Sequence, residues 1–340
     1  MSNRWPGGII RKTPVTPAGP FQNGAASGVW SLADAAYWTK QGLWPIAGNV
    51  ADGTFAIFAL GFSGGTRAAT RNKYTYSGCV VGSATAASTG STSQSAAGNS
   101  TVGIFALGST AAAACGAVTR DKYTYTGDVN SSATAATTAS ACGSAAGNST
   151  VGIFALGLSS TGTALTTRNK YTYSGDVVAA GGASTVTSYV GSATGNSTIG
   201  VFALGVAGGC TATTRDKYTY SGDVVSAGGA ASTASRNGSA AGNSTVGIFA
   251  LGRTPNTSST TRNKYTYAGC TVAAATASTA ASCSGSAAGN STIGIFALGS
   301  GNTTRNKYTY SGDVNSAGGA ATATSLGGSA ASNGISGVTL

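Results

Sequence analysis

The chain has 340 residues, of which 41% are apolar and only 8% charged; it contains no histidine and no glutamate, and its formal net charge is +11. That apolar content suffices for a continuous core, while the missing His and Glu remove the usual general bases and any His-containing zinc site. No window approaches the roughly 18 apolar residues of a membrane span, and the first residues lack the apolar run of a signal peptide. No membrane insertion is therefore expected, and the chain is expected to be soluble where it is made.

Residues 1–47 stand apart. All four tryptophans fall here, together with five of the six prolines. Residues 1–29 read as an extended Pro/Gly-rich arm. Ser31-Leu32-Ala33-Asp34 then forms a helix-capping signature, and the helix it opens stops at Gly42, with Pro45 just beyond. A helix of about ten residues is not stable alone, so its apolar side chains must pack on something. Either the segment plugs the repeat region behind it, or it is a docking peptide that orders against a partner. Aromatic anchors favour docking, and the candidate docking residues are Trp5, Trp30, Leu32, Tyr37, Trp38 and Trp44.

From about residue 48 to residue 340 the chain is one repeat domain. Gly-Asn-Ser-Thr-Val-Gly-Ile-Phe-Ala-Leu-Gly ends at Gly108, with close copies ending at Gly157, Gly205, Gly252 and Gly299 and a degenerate first copy at Gly61. The steps are 47, 49, 48, 47 and 47 residues, a period typical of propellers and solenoids. A second phrase, Thr-Arg-Asn/Asp-Lys-Tyr-Thr-Tyr, follows every copy, so six tandem units are present.

Val102-Gly103-Ile104-Phe105-Ala106-Leu107 is apolar on both alternating faces, as a strand buried on two sides requires. In Lys122-Tyr123-Thr124-Tyr125 the tyrosines share one face, which predicts a half-exposed strand. Tyr-Ser-Gly-Asp-Val-Val reads as a tight turn into a short Val-rich strand. Gly-Ser-Ala-Ala-Gly-Asn-Ser-Thr reads as another strand with an Asn-centred turn. Four antiparallel strands per unit match a propeller blade.

Spacing separates loop from packed element. The offset from the phrase-ending Gly to the Lys is 12, 14, 13, 12, 12 and 8, whereas the last Tyr always lies 28 residues before the next Ile or Val. Insertions are tolerated in surface loops, so residues 62–69, 109–118, 158–166, 206–213, 253–260 and 300–303 are predicted loops. Strand alternation puts them on one face, and the near-invariant Asn-Ser-Thr and Ser-Gly-Asp turns on the other. Recognition commonly uses diversified loops on a rigid scaffold, and neutral drift is an equal explanation for their variety. The polar candidates on the predicted ligand face are Arg67, Arg253 and Asn256.

Twelve of the nineteen basic residues are the Arg and Lys of the second phrase, one pair per unit. Charge spread evenly around an array does not make a nucleic-acid groove, which needs clustering, and no nucleic-acid partner is expected. Arg71 and its equivalents are expected to tie adjacent units through backbone carbonyls, with the tyrosine pairs packed between sheets. Asp128, Asp176, Asp223 and Asp313 read as turn-formers, and Asp121 and Asp216 as local partners of Arg120 and Arg215. Asn99-Ser100-Thr101 and its copies read as turn chemistry. The six cysteines show no recurring spacing, so free thiols are expected. No catalytic residue, metal or cofactor is expected, and the chain is not expected to be an enzyme.

The buried strand ending in Gly, the loop, and Asn-Lys-Tyr-Thr-Tyr resemble the kelch repeat of β-propellers. Two departures stand out: a single Gly replaces the kelch double Gly at Gly108, Gly157, Gly205 and Gly252, and the kelch Trp is absent from every unit. The resemblance implies an all-β fold, a six-bladed β-propeller of four-stranded kelch-like blades preceded by an extended arm and one short helix. The tail Ser332 to Val338 sits in register with the Gly-Asn-Ser-Thr-Val-Gly-Ile phrase, and Val338 lies 28 residues after Tyr310. A C-terminal strand is therefore expected to close the ring on the first blade, near where a seventh buried strand would begin.

Arg4-Trp5-Pro6-Gly7-Gly8-Ile9-Ile10, Gly28-Val29-Trp30-Ser31-Leu32 and Tyr37 to Pro45 resemble the opening of phage structural proteins, notably tail-fibre-like proteins of aquatic phages. That resemblance implies a virion protein made in the host cytoplasm. It would be a tail-fibre-like or receptor-binding component joined to other virion proteins through residues 1–47, and a homo-oligomer, recognising a host-surface glycan or protein. A capsid decoration or head-fibre protein, or a cellular kelch-like binding module, are the alternatives.

Overall fold

The computed structural model describes residues 53–110, 116–254 and 256–334. The arm, the predicted helix and all six docking candidates (Trp5, Trp30, Leu32, Tyr37, Trp38, Trp44) lie outside the described residues. The described residues are all-β, with six four-stranded antiparallel sheets and one short 3-10 turn at Ser77–Cys79.

The second sheet is typical. Its inner strand is Ser95–Gly98, followed by Val102–Ala106, Arg120–Thr124 and the outer strand Val129–Ala133. The inner strands of consecutive sheets lie side by side, and Ser329–Ser332 lies beside both Ser286–Gly289 and Ser95–Gly98, so the inner strands close a ring. Closure comes from the C-terminus, as expected, but by the inner strand. Ser329–Ser332 pairs with Phe55–Ala59, which already fills the second place of that sheet, and Val338 lies outside the described residues.

The join reproduces an unbroken turn. Elsewhere the Asn of Asn-Ser-Thr accepts bonds from the residues two and three places on, as Asn99 Oδ1 does from Thr101 N at 2.9 Å and Val102 N at 3.0 Å. In the first sheet Asn333 arrives from the other end of the chain, and its Oδ1 accepts from Phe55 N at 3.0 Å. Gly53 and Gly334 meet there, too close for a Cβ on either: one built on Gly53 would lie 2.3 Å from the Gly334 backbone.

The two-sided strands explain how sheet holds sheet. Ile104 and Phe105 are both fully buried and point in opposite directions. Phe105 packs with Ile57 of the preceding sheet, and Ile104 packs with Phe154 and Tyr171 of the following one. The same contact onto Phe and Tyr recurs at every junction, with Val201 in place of the Ile at one and Ile295 against Phe58 and Tyr74 across the closure. Small residues make close approach of the inner strands possible. A Cβ on Gly103 would stand 2.8 Å from the Tyr125 hydroxyl and 3.0 Å from the Ala331 Cβ, so the Gly98–Gly103 cross-strand pair leaves the room the tyrosine fills.

Beneath each variable loop runs a ring of buried guanidinium groups. Arg71, Arg120, Arg168, Arg215, Arg262 and Arg305 are each 1% exposed. Each stacks on the Phe of the next sheet, at 4.5 to 4.7 Å from guanidinium carbon to ring centroid. Each also donates to the residue after the next sheet's arginine. Arg71 Nη2 reaches Asp121 Oδ2 and Arg168 Nη2 reaches Asp216 Oδ2, both at 2.8 Å. The other four meet an asparagine oxygen: Asn169, Asn263, Asn306 and Asn72. This corrects two expectations. Side-chain oxygens of the neighbouring sheet are the main partners, with backbone carbonyls such as Ala86 and Gly182 only at 3.4 to 3.5 Å. Asp121 and Asp216 pair with the preceding sheet's arginine, not with adjacent Arg120 and Arg215, because neighbours along a strand point to opposite faces.

Candidate functional site

Hairpin topology divides the repeat domain into two faces. The Asn-Ser-Thr turns join inner to second strands, and the Ser-Gly-Asp turns join third to outer strands, so both emerge on one face. Loops joining second to third strands emerge on the other, beside the connectors from each outer strand to the next inner strand. Gly53 and Gly334 sit at the position of an Asn-Ser-Thr turn, so the described chain begins and ends on the conserved-turn face, opposite the variable loops.

The conserved-turn face is tied from sheet to sheet. Asn99 Nδ2 donates to Ser149 O, and Asn148, Asn196 and Asn243 repeat the link to the next turn. The Asp of Ser-Gly-Asp adopts a left-handed conformation, with φ of 56° at Asp128 and 55° at Asp176, Asp223 and Asp313, which aspartate tolerates better than most residues. These aspartates do more than turn the chain. Asp128 accepts from Thr85 N of the preceding sheet at 3.2 Å, and Asp223 accepts from Lys170 Nζ at 2.9 Å. Where the preceding residue is glycine instead of threonine the contact is tighter: a Cβ on Gly182 would lie 2.3 Å from the Asp223 carbonyl. Cys79 and Cys270 occupy the aspartate position with φ of 54° and 52°. Cys79, Cys210, Cys270 and Cys283 are free thiols.

On the loop-bearing face, six residues with positive φ link head to tail around the inner strands. Ser93, Cys142, Val190, Asn237, Ser284 and Gly327 have φ between 50° and 63°. Each of the last five donates its backbone N–H to the carbonyl of the one before, at 2.8 to 3.0 Å, and Gln94 N reaches Gly327 O at 3.3 Å to close the circuit. Beyond this ring the loops differ in structure as well as sequence. Phe62–Ser63 pairs with Thr66–Arg67, Leu158–Ser159 pairs with the connector strand Ser140–Ala141, and Val206–Ala207 joins Ser188–Tyr189 and Cys210–Thr211 in a three-stranded sheet.

The three predicted ligand-face residues all lie on this face, but not together. Arg67 is half-buried in the first sheet's loop and donates to Ser109 Oγ of the next loop at 3.1 Å. Arg253 and Asn256 are exposed in the fifth sheet's loop. The residue that sequence reasoning missed is Arg236, in the connector before the fifth sheet. Arg236 and Arg253 exchange backbone hydrogen bonds at 3.1 and 2.8 Å, and Arg236 Nη2 approaches Asn256 Oδ1 at 3.5 Å. Arg236 breaks the small-residue run Ala-Ala-Ser-Thr-Ala-Ser, and that break was the available signal.

Charge divides between the faces. Among the described residues, the variable loops and outer-to-inner connectors carry Arg67, Arg236 and Arg253 and no carboxylate, whereas the Ser-Gly-Asp turns carry four aspartates and no basic residue. The repeat lysines lie between, half-buried on the third strands. Along the axis the inner strands enclose a cavity of about 70 Å³ lined mainly by alanine and glycine, with Thr194 and Ser332, far below the 300 Å³ or more of small-molecule sites.

No protein-family model and no curated protein matches the chain. Among solved structures it is similar to the crystal structure of TolB from Acinetobacter baumannii, with 12% identity and a TM-score of 0.55, covering 88% of this chain and 70% of that one. At that identity the likeness concerns the fold alone, and it identifies the repeat domain as β-propeller-like.

Proposed function

We propose that the chain is a non-enzymatic phage virion protein of the tail-fibre-like, receptor-binding class. In this reading residues 1–47 dock to other virion proteins through Trp5, Trp30, Leu32, Tyr37, Trp38 and Trp44, and a six-bladed, kelch-type propeller is displayed for contact with the host surface. It is made in the host cytoplasm, assembled as a homo-oligomer, and uses neither cofactor nor metal. The observation that carries this reading is polarity: the described chain enters and leaves the ring on the conserved-turn face, while every loop that differs among units opens on the opposite face. A scaffold so arranged can be held from one side while the other side varies, because the near-identical sheets bear most of the packing.

Mass spectrometry of purified particles tests the assignment directly, followed by imaging of particles decorated with antibody against the repeat domain. Label at the tail extremity is expected. Absence of the protein from particles would overturn the reading, and label on the capsid would shift it to a head-fibre or decoration protein. Exchanging loops 206–213 and 253–260 should alter host adsorption without altering incorporation.

A further inference from the structure

We propose that the loop-bearing face binds an acidic, carboxylate-bearing polysaccharide, with Arg236 and Arg253 as its principal contacts. The inference deepens the reading of that face as the recognising surface and rests on it.

The arginine pair is the starting point. Arg236 and Arg253 are directly opposite residues of an antiparallel bridge, so their side chains leave the same side of the backbone. Like charges in that arrangement repel. Most other basic residues in the repeats have their compensation close by: the buried arginines stack on phenylalanine and bond to Asp or Asn, Lys122 and Lys170 pair with Asp176 and Asp223, and Lys73 lies over the Phe55 ring at 4.2 Å. No carboxylate stands on the variable loops or connectors of the described residues to do the same for Arg236 and Arg253. Arg236 Nε is buried without a partner, and its Nη2 meets only the 3.5 Å approach of Asn256.

A neighbouring thiol reports the same field. Burial by itself would raise the Cys283 thiol, yet hydrogen bonds from Ser300, Ser258 and Arg253, together with the Arg253 charge, bring it below its ordinary value. The local environment favours a negative charge.

The shape and chemistry of the face select the kind of anion. The cavity beside Arg236 holds only about 10 Å³, so nothing small is enclosed there. A ligand has to lie along the surface and be extended. Around the pair the loop reads Arg-Thr-Pro-Asn-Thr-Ser-Ser-Thr, which supplies hydroxyl and amide groups but no apolar anchor of the kind that centres a protein interface. A nucleic acid presents a charge every few ångströms and calls for a basic stripe, whereas three arginines are scattered over this face. Sparse carboxylates set among many hydroxyls match it: guanidinium forks take carboxylates bidentately, and Ser, Thr and Asn bond to the sugar hydroxyls.

Affinity electrophoresis of the full chain through gels containing polygalacturonate, neutral dextran or double-stranded DNA tests the inference. Retardation by polygalacturonate alone is expected, weakened about tenfold by Arg236→Ser or by Arg253→Ser, as loss of a charge-assisted contact implies. Lys217→Ser, which removes the same charge from the flank of the ring, is expected to leave retardation unchanged, and circular dichroism checks that each variant is folded. Absence of retardation, equal retardation by dextran or DNA, persistence in the Arg236→Ser/Arg253→Ser double variant, or an equal loss with Lys217→Ser would each overturn it. A chain found in particles but failing here would refute the ligand class while leaving the virion reading standing.

Discussion

Replacing Arg168 and Arg215 in turn by methionine separates the two jobs that the buried arginines do. The two positions are equivalent in the repeat, both 1% exposed and both stacked on the next sheet's phenylalanine, at 4.6 Å for Arg168 and 4.5 Å for Arg215. They differ in the acceptor. Arg168 meets the carboxylate of Asp216 at 2.8 Å, whereas Arg215 meets the amide oxygen of Asn263 at 3.2 Å. Methionine keeps much of the stem and the aromatic contact, so the difference between the variants isolates the polar partner. In Arg168→Met, Asp216 stays buried with only Thr185 N at 3.1 Å and Thr185 Oγ1 at 2.6 Å to hold its charge. Removing one member of a buried ion pair costs about 3–5 kcal/mol. In Arg215→Met, Asn263 keeps the hydrogen bond from Ser232 N at 3.0 Å and is neutral, so the loss is that of a single bond to a charged group, about 1.5–3 kcal/mol. Relief of a buried cation, whose burial brings the Arg215 guanidinium down to about 10, offsets part of that loss. Urea unfolding followed by circular dichroism measures both. Arg168→Met is expected to be the less stable variant by about 2 kcal/mol, and Asp216→Asn in the Arg168→Met background should recover most of the difference. Equal losses, or a larger loss for Arg215→Met, would refute the assignment of the difference to charge pairing.

Val190 holds φ of 50°, a left-handed conformation that a β-branched residue adopts with strain, and Gly327 occupies the equivalent place in the ring. Val190→Gly should therefore raise the thermal midpoint, by an amount corresponding to about 1 kcal/mol; a lower midpoint would show that the valine side chain is worth more than the strain. Deleting residues 329–340 removes the inner strand of the first sheet with its register Ala56–Ser332 to Ala59–Ser329. The truncated chain should lose its single cooperative transition and open first at the junction of first and sixth sheets, which hydrogen exchange would locate at Phe55–Ala59; unchanged protection there would refute closure. The tyrosines give a pH test. Burial raises Tyr265 to about 12 and carries Tyr125 and Tyr220 well above the ordinary value of 10. A phenol whose folded value is raised contributes stability that is whole below pH 10 and is lost as pH climbs through the folded value. The buried arginines, lowered by the same burial, act in the opposite sense, so tyrosinate absorbance, which sees phenols alone, is the measurement. Little ionisation is expected until the circular dichroism signal collapses, and half-ionisation near pH 10 in a chain still folded would contradict the burial.

Much of this protein was legible as a string of residues. Strand identity followed from local alternation: Val-Gly-Ile-Phe-Ala is apolar on both sides because one side meets the preceding sheet and the other the following one. The fixed 28-residue interval and the drifting linker told packed strand from loop, since a packed strand admits no insertion and a surface loop does. Turn chemistry at Asn99 is local for the same reason, its side chain reaching its own backbone two and three residues on.

What needed three dimensions was every bond that crosses between units. Asp121 stands beside Arg120 in the chain but serves Arg71, about 50 residues away, because adjacent strand residues face opposite ways and only the packing of one sheet on the next brings the partners together. The closing strand is Ser329–Ser332 and not a later segment because Phe55–Ala59 already fills the second place of its sheet, a vacancy count that no local pattern contains. Arg236 looked like one more polar residue in a small-residue connector. Only the bridge that sets it across from Arg253, on a face without carboxylates, turned two residues from different units into one charged surface.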